Sequence, residues 1–82
     1  MEPYPPYETL TPREKEVFEG VCKGLAAKEI GIALGISPRT VEHHRENIGR
    51  KLRTSLLTEW TVIALRSGVR GLEVNVKKEI QG

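Results

Sequence analysis

The segment Leu34-Gly35-Ile36-Ser37-Pro38 constrains this chain more than any other. Glycine most easily takes the left-handed conformation that ends a helix, so Gly35 reads as a C-terminal cap. Two residues later Ser37 offers a hydroxyl to cap a new helix. Pro38 then stands at the first helical position, where a missing N–H is no loss. One helix stops and the next starts within about four residues, which is the layout of a helix-turn-helix. The helix before the turn is expected from about Ala27 to Leu34, with Ile30, Ala33 and Leu34 as its apolar side and Lys28 and Glu29 in its first turn. Gly31 inside it costs up to ~1 kcal/mol relative to Ala. The helix after the turn is expected from Pro38 to about Leu52 or Arg53.

A matching start signal lies upstream. Thr11-Pro12-Arg13-Glu14 places an N-cap, a first-position proline and a glutamate able to close a capping box. Leu10 precedes it as a hydrophobic staple. Val17, Phe18, Val21, Cys22 and Leu25 follow at helical spacing, with the helix ending at Gly24. A fourth helix is expected from about Ser55 or Leu56 to Ser67, closed by Gly68. Pro3, Pro5 and Pro6 exclude a helix over residues 1–9 and favour an extended arm, either an unstructured leader or one whose Tyr4 and Tyr7 pack on the domain or a partner. Beyond the fourth helix, Leu72, Val74 and Val76 alternate with Glu73, Asn75 and Lys77, a weak strand signal in a tail over residues 70–82. The expected class is all-α: a four-helix domain over residues 10–69 with an arm and a tail.

With 82 residues the chain has room for one domain. A chain this small buries only ~60–65% of its unfolded surface, which favours an oligomer. No apolar run approaches the ~18 residues of a membrane span, and the N-terminus lacks the regions of a signal peptide. A single Cys22 excludes an intrachain disulfide and a multi-cysteine zinc site. These features read as a cytoplasmic protein without membrane contact.

Charge singles out the third helix. At ~100° per residue, Val41, His44, Ile48 and Leu52 fall on one narrow stripe, the core side. Arg39, Glu42, His43, Glu46, Arg50 and Arg53 fall opposite, with Arg45 and Asn47 at the edges. Between Ser37 and Arg53 there are five basic and two acidic residues, a balance of +3, so the other 65 residues of this +2 chain sum to −1. A helix with a basic outer face after a tight turn fits the DNA major groove, where Arg and Lys neutralise phosphates and polar side chains read base edges. A solvated helix carrying i,i+4 ion pairs such as Glu46 with Arg50 accounts for the same composition. Both readings stand at this point.

The run from Leu10 to Val17, then Gly24-Leu25-Ala26-Ala27-Lys28-Glu29-Ile30, then Leu34 to Ile48 and Arg50-Lys51-Leu52 resemble the LuxR-type (GerE-like) helix-turn-helix. The resemblance extends through Thr58-Glu59 and Ala64-Leu65 to about Val69. It implies a four-helix DNA-binding domain of a transcription regulator that dimerises through its last helix and binds inverted half-sites in double-stranded DNA. It implies base reading by Arg39, Glu42, His43 and Glu46, and phosphate contacts by Lys28, Thr40, Arg50 and Lys51. His44 matches the family's usual histidine and is expected half-buried. Arg45 is expected to pack its stem and pair with Glu14 or Glu16. When on DNA the protein would be nucleoid-associated.

The sequence departs from the family pattern at four places. Glu42 stands where Lys is common and could accept from cytosine N4. Glu46 adds a second acid to the reading face, lowering expected affinity. Arg53 replaces the usual Gly after the third helix, so that helix is expected to end differently or run on. Gly49 is unusual inside such a helix. The family domain normally forms the output end of a larger regulator, whereas here Met1 stands a few residues before it; a stand-alone regulator, acting by its abundance or through a partner, is the expectation.

Other chemistry is poorly served. Glu42, His43, His44 and Glu46 do not make a metal site, because the two histidines point about 100° apart. Cys22 lies on the apolar side of the first helix, as a structural thiol does. No cofactor-binding motif is present, and an enzyme is not expected. On the fourth helix Leu56, Leu57, Trp60, Ile63 and Ala64 share a side expected to be core, with Trp60 at either boundary. Thr58, Val62 and Leu65 lie opposite and form the expected dimer seam. The competing function is a small antagonist that heterodimerises with larger LuxR-type regulators without DNA; RNA polymerase is a further partner, and a sigma-factor domain a more distant alternative.

Overall fold

The structure, a computed structural model, describes residues 5–69, and the alternating tail lies outside them. Five helices follow in order: α1 (Pro5–Glu8), α2 (Pro12–Cys22), α3 (Ala27–Leu34), α4 (Pro38–Leu52) and α5 (Leu57–Arg66). The four expected helices are α2 to α5. There is no strand among the described residues.

The capping chemistry reads out as the residues dictate. Thr11 accepts from the Glu14 N–H at 3.1 Å, and Glu14 accepts from the Thr11 N–H at 2.9 Å, closing the capping box of α2. Ser37 caps α4 through the Thr40 N–H at 3.1 Å. Between α3 and α4, Gly35 takes φ 73° and ends α3.

Gly31 has a reason that its helix propensity hides. The Ile36 N–H folds back onto the Gly31 carbonyl at 2.9 Å, bringing the turn against α3. A Cβ on Gly31 would lie 2.5 Å from the Ile36 carbonyl oxygen and 3.4 Å from the Pro38 nitrogen. The tight turn needs the missing side chain.

α2 lies at the centre, packing against α3, α4 and α5. Val17, Phe18, Val41 and Ile48 are fully enclosed. Trp60 is buried rather than at a boundary; its ring centroid lies 5.4 Å from that of Phe18, and its indole N–H donates to the Thr54 carbonyl at 2.6 Å. Apolar residues expected in the core fall outside it in four cases. Ala33 is exposed, as are Leu25 (40%), Leu56 (60%) and Leu57 (51%). Leu56 is the N-cap of α5 and Leu57 its first residue, so neither reaches the turn that meets α2.

The extended arm is corrected. Pro5 and Pro6 open one helical turn, α1, because prolines in a first turn remove only N–H groups that have no partner there. α1 packs on α4, and Tyr7 is buried with its ring 5.4 Å from Phe18 and the Lys15 ammonium 4.9 Å over its face. The tyrosine at position 7 thus belongs to the core.

α4 ends at Leu52 with Arg53 left-handed at φ 62°, so the helix stops as a glycine would stop it. A residue with a Cβ in this conformation costs ~1–2 kcal/mol. Arg53→Gly is expected to raise stability by about 1 kcal/mol, read as a Tm increase of ~4–8 °C in thermal unfolding. An unchanged or lower Tm would contradict the left-handed assignment.

Candidate nucleic-acid interface

The helix-turn-helix of α3 and α4 presents one outward strip. Arg39, Glu42, His43, Glu46 and Arg50 are exposed, and Val41, Ile48 and Leu52 hold the opposite side of α4 in the core. His44 is half-buried, with its Nδ1 enclosed and without a hydrogen-bond partner among the described residues. Lys28 on α3 and Thr40 in the first turn of α4 are exposed, and the Thr40 hydroxyl lies 3.0 Å from that of Ser37.

The ion pairs differ from those the sequence favours. Arg45 Nε lies 3.9 Å from Glu42 Oε1, not against an acid of α2. Glu16 pairs with Arg13 at 3.1 Å. Glu46 and Arg50 do not pair: the Arg50 guanidinium donates to the Asn47 side-chain carbonyl instead. Of the two acids of α4, Glu42 thus has an intrahelical ion pair, and Glu46 has none among the described residues.

Lys51, expected at a phosphate, has partners within the domain. Its ammonium donates to Glu14 Oε1 at 2.7 Å and to the Thr9 carbonyl at 3.3 Å. The carboxylate it meets is buried, with a side-chain exposure of 7%. Burial pushes the Glu14 pKa up, but the hydrogen bonds from Lys51 and the Thr11 N–H, with the charges of Lys51 and His44, outweigh it and hold the group below its ordinary value. Lys51, though exposed, therefore joins α4 to the start of α2. No sequence pattern linked positions 14 and 51; the contact is made across 37 residues.

On α5, Thr58, Val62 and Leu65 are exposed, the two apolar ones at 51% each. Thr58 and Val62 border a groove of about 500 Å³ that also reaches Leu52, Arg53, Glu59 and Arg66. Cys22 is half-buried; burial, then the Glu19 charge, pushes its thiol up to about 12, so it is not a thiolate nucleophile at neutral pH. Among the described residues no cluster of His, Cys, Asp or Glu could hold a metal ion, and no helix is long and apolar enough to cross a membrane.

Known proteins share this arrangement. Residues 8–64 match the family described as bacterial regulatory proteins, luxR family. The chain is 41% identical over 61 residues to the transcriptional regulatory protein FixJ of Bradyrhizobium diazoefficiens, covering 74% of this chain and 30% of that protein. It is 48% identical over 48 residues to the transcriptional regulatory protein UhpA of Escherichia coli strain K12, covering 58% of this chain and 24% of that protein. Its fold matches the crystal structure of full-length FixJ from B. japonicum with a TM-score of 0.70 and 37% identity, over 82% of this chain and 33% of that one. The chain thus spans less than a third of the length of each of these relatives. The matched family is one of regulators rather than enzymes. A capped α3–α4 turn, an outward polar strip on α4 and a match over most of its length together make this chain a member of the luxR family of bacterial regulatory proteins.

Proposed function

We propose that this chain is the sequence-specific, double-stranded-DNA-binding module of a transcription regulator, with α4 in the major groove. The observation that carries this is the outward strip of α4, where Arg39, His43, Glu46 and Arg50 all face solvent along the helix that follows the capped turn. Arg39, near the start of the helix, suits guanine O6 and N7, and Glu42, His43 and Glu46 complete the base-reading set. Lys28, Thr40 and Arg50 contact phosphates, which fix register without carrying sequence. The module works as a homodimer on inverted half-sites, its seam built on Thr58, Val62 and Leu65, because two half-exposed apolar residues on one face of α5 invite a second copy.

Selection from a random duplex pool tests this reading. The expected product is an inverted repeat whose half-sites lie about one helical turn apart. Val62→Glu with Leu65→Glu should leave a monomer in light scattering that no longer favours the repeat. A chain that selects no duplex yet captures a larger regulator of the family through α5 would overturn the reading in favour of the antagonist. Arg50→Ala should weaken binding to all duplexes and reduce the salt slope by ~0.9 per lost phosphate contact. Lys51→Ala should leave that slope nearly unchanged, since the Lys51 ammonium already faces Glu14. Equal losses of slope from both substitutions would show Lys51 to be free for DNA.

A further inference from the structure

We infer that Glu46 is a specificity-determining residue that selects cytosine within each half-site; the inference rests on the major-groove reading of α4. Glu46 is exposed on the outward strip, between His43 and Arg50. The two arginines nearest to it on α4 are turned elsewhere. Arg50 donates to Asn47, and Arg45 leans toward Glu42 at 3.9 Å. Among the described residues Glu46 takes part in no ion pair. Its carboxylate has no ion pair to give up on meeting a base.

That state has a consequence in the groove. A carboxylate pressed between two rows of phosphates loses water and meets like charge, and only a hydrogen-bond donor on a base edge offsets this. Guanine shows two acceptors in the major groove, and thymine shows an acceptor and a methyl group. Neither offers a donor to Glu46. Adenine offers its N6 amino group beside the N7 lone pair, which repels the second carboxylate oxygen. Cytosine offers N4 with no acceptor of its own at that edge. Glu46 therefore acts mainly by rejection, excluding half-sites that lack an amino group at its position. The weakened overall affinity that a second acid brings is the other side of the same effect.

The test is competition binding on the selected duplex, with each base pair of the half-site replaced in turn, for the wild type, Glu46→Gln and Glu46→Ala. The wild type should prefer cytosine over thymine at one position by about 10- to 100-fold. Glu46→Gln should move that preference to adenine, because a glutamine side chain pairs with N6 and N7 together. Glu46→Ala should flatten that position, leave the position read by Arg39 unchanged, and tighten binding to unselected DNA. Unchanged circular dichroism in both variants, expected for so exposed a residue, ties the effects to recognition. Tight, selective binding with no position responding to Glu46 would overturn the inference alone. Absence of any duplex selection would remove the major-groove reading, and the inference with it.

Discussion

Gly31→Ala is expected to destabilise the domain by about 3 kcal/mol, at the upper end of the usual cost of overpacking. The added methyl would sit 2.5 Å from the Ile36 carbonyl oxygen, which is backbone and cannot rotate away. That carbonyl belongs to the turn itself. Relief would require moving Ile36 and Ser37, and with them the capped start of α4. Alanine's better helix propensity returns only ~1 kcal/mol, less than the clash removes. Tm should fall by roughly 12–24 °C in thermal unfolding followed by circular dichroism. Gly20→Ala is the comparison: its Cβ would meet Ile30 Cγ1 at 2.9 Å, a buried side chain that can shift further than the backbone of the turn, so the loss should be smaller. A Gly31→Ala protein that melts with the wild type would show that the turn does not approach α3 as described.

Glu14→Ala is expected to cost about 2–3 kcal/mol. The substitution removes the acceptor for the Thr11 N–H and strands the Lys51 ammonium between α2 and α4. The loss stays below that of a fully buried pair because the Lys51 side chain is 36% exposed and keeps some water. The pH dependence gives an independent reading. The folded Glu14 carboxyl titrates below its ordinary value of 4.5, so its contribution is complete above that value and disappears as pH falls through the lower folded one. Glu14→Gln keeps an acceptor oxygen for the Thr11 N–H but carries no charge. Its stability should therefore fall less steeply on acidification than that of the wild type, in urea unfolding at a series of acid pH values. Parallel curves for the two proteins would show that the pair with Lys51 contributes nothing.

Both expectations lie where sequence reasoning met its limit. Gly31 read as a small penalty within a helix, because propensity counts only the helix that a residue sits in. Its value comes from the Ile36 carbonyl, which only the folded turn brings near. Lys51 read as one more cation on a basic helix, since helical periodicity places it but names no partner. The partner stands 37 residues away, at the start of α2. The proline-rich start failed for a different reason. Three prolines argue against a long helix, yet two of them open a single turn, and the contacts of Tyr7 with Phe18 and Lys15 hold that turn in place.

The four main helices, their caps, the stop at Gly35 and the two sides of α4 were legible because each depends on interactions within a few residues. Thr11 with Glu14, Ser37 with Thr40, and the spacing of Val41, Ile48 and Leu52 are local facts. The exposure of Arg39, Glu42, His43 and Glu46 was legible for the same reason, since exposure on a helix follows from angle; that such positions read bases is what the family resemblance implies. Charge pairing did not follow. Angle alone permits Glu46 to meet Arg50, and Arg45 to meet α2. The structure gives Arg50 to Asn47, Arg45 to Glu42 and Lys51 to Glu14. A long flexible side chain can reach several partners: Arg50 and Arg45 take theirs one turn away within α4, which angle permits but does not select, and only the partner of Lys51 is supplied by tertiary packing. The sequence by itself thus determined a capped helix-turn-helix with a polar outer strip. Tertiary structure decided that Lys51 is paired and that Gly31 must lack a side chain, because only folding brings Glu14 to the one and the Ile36 carbonyl to the other.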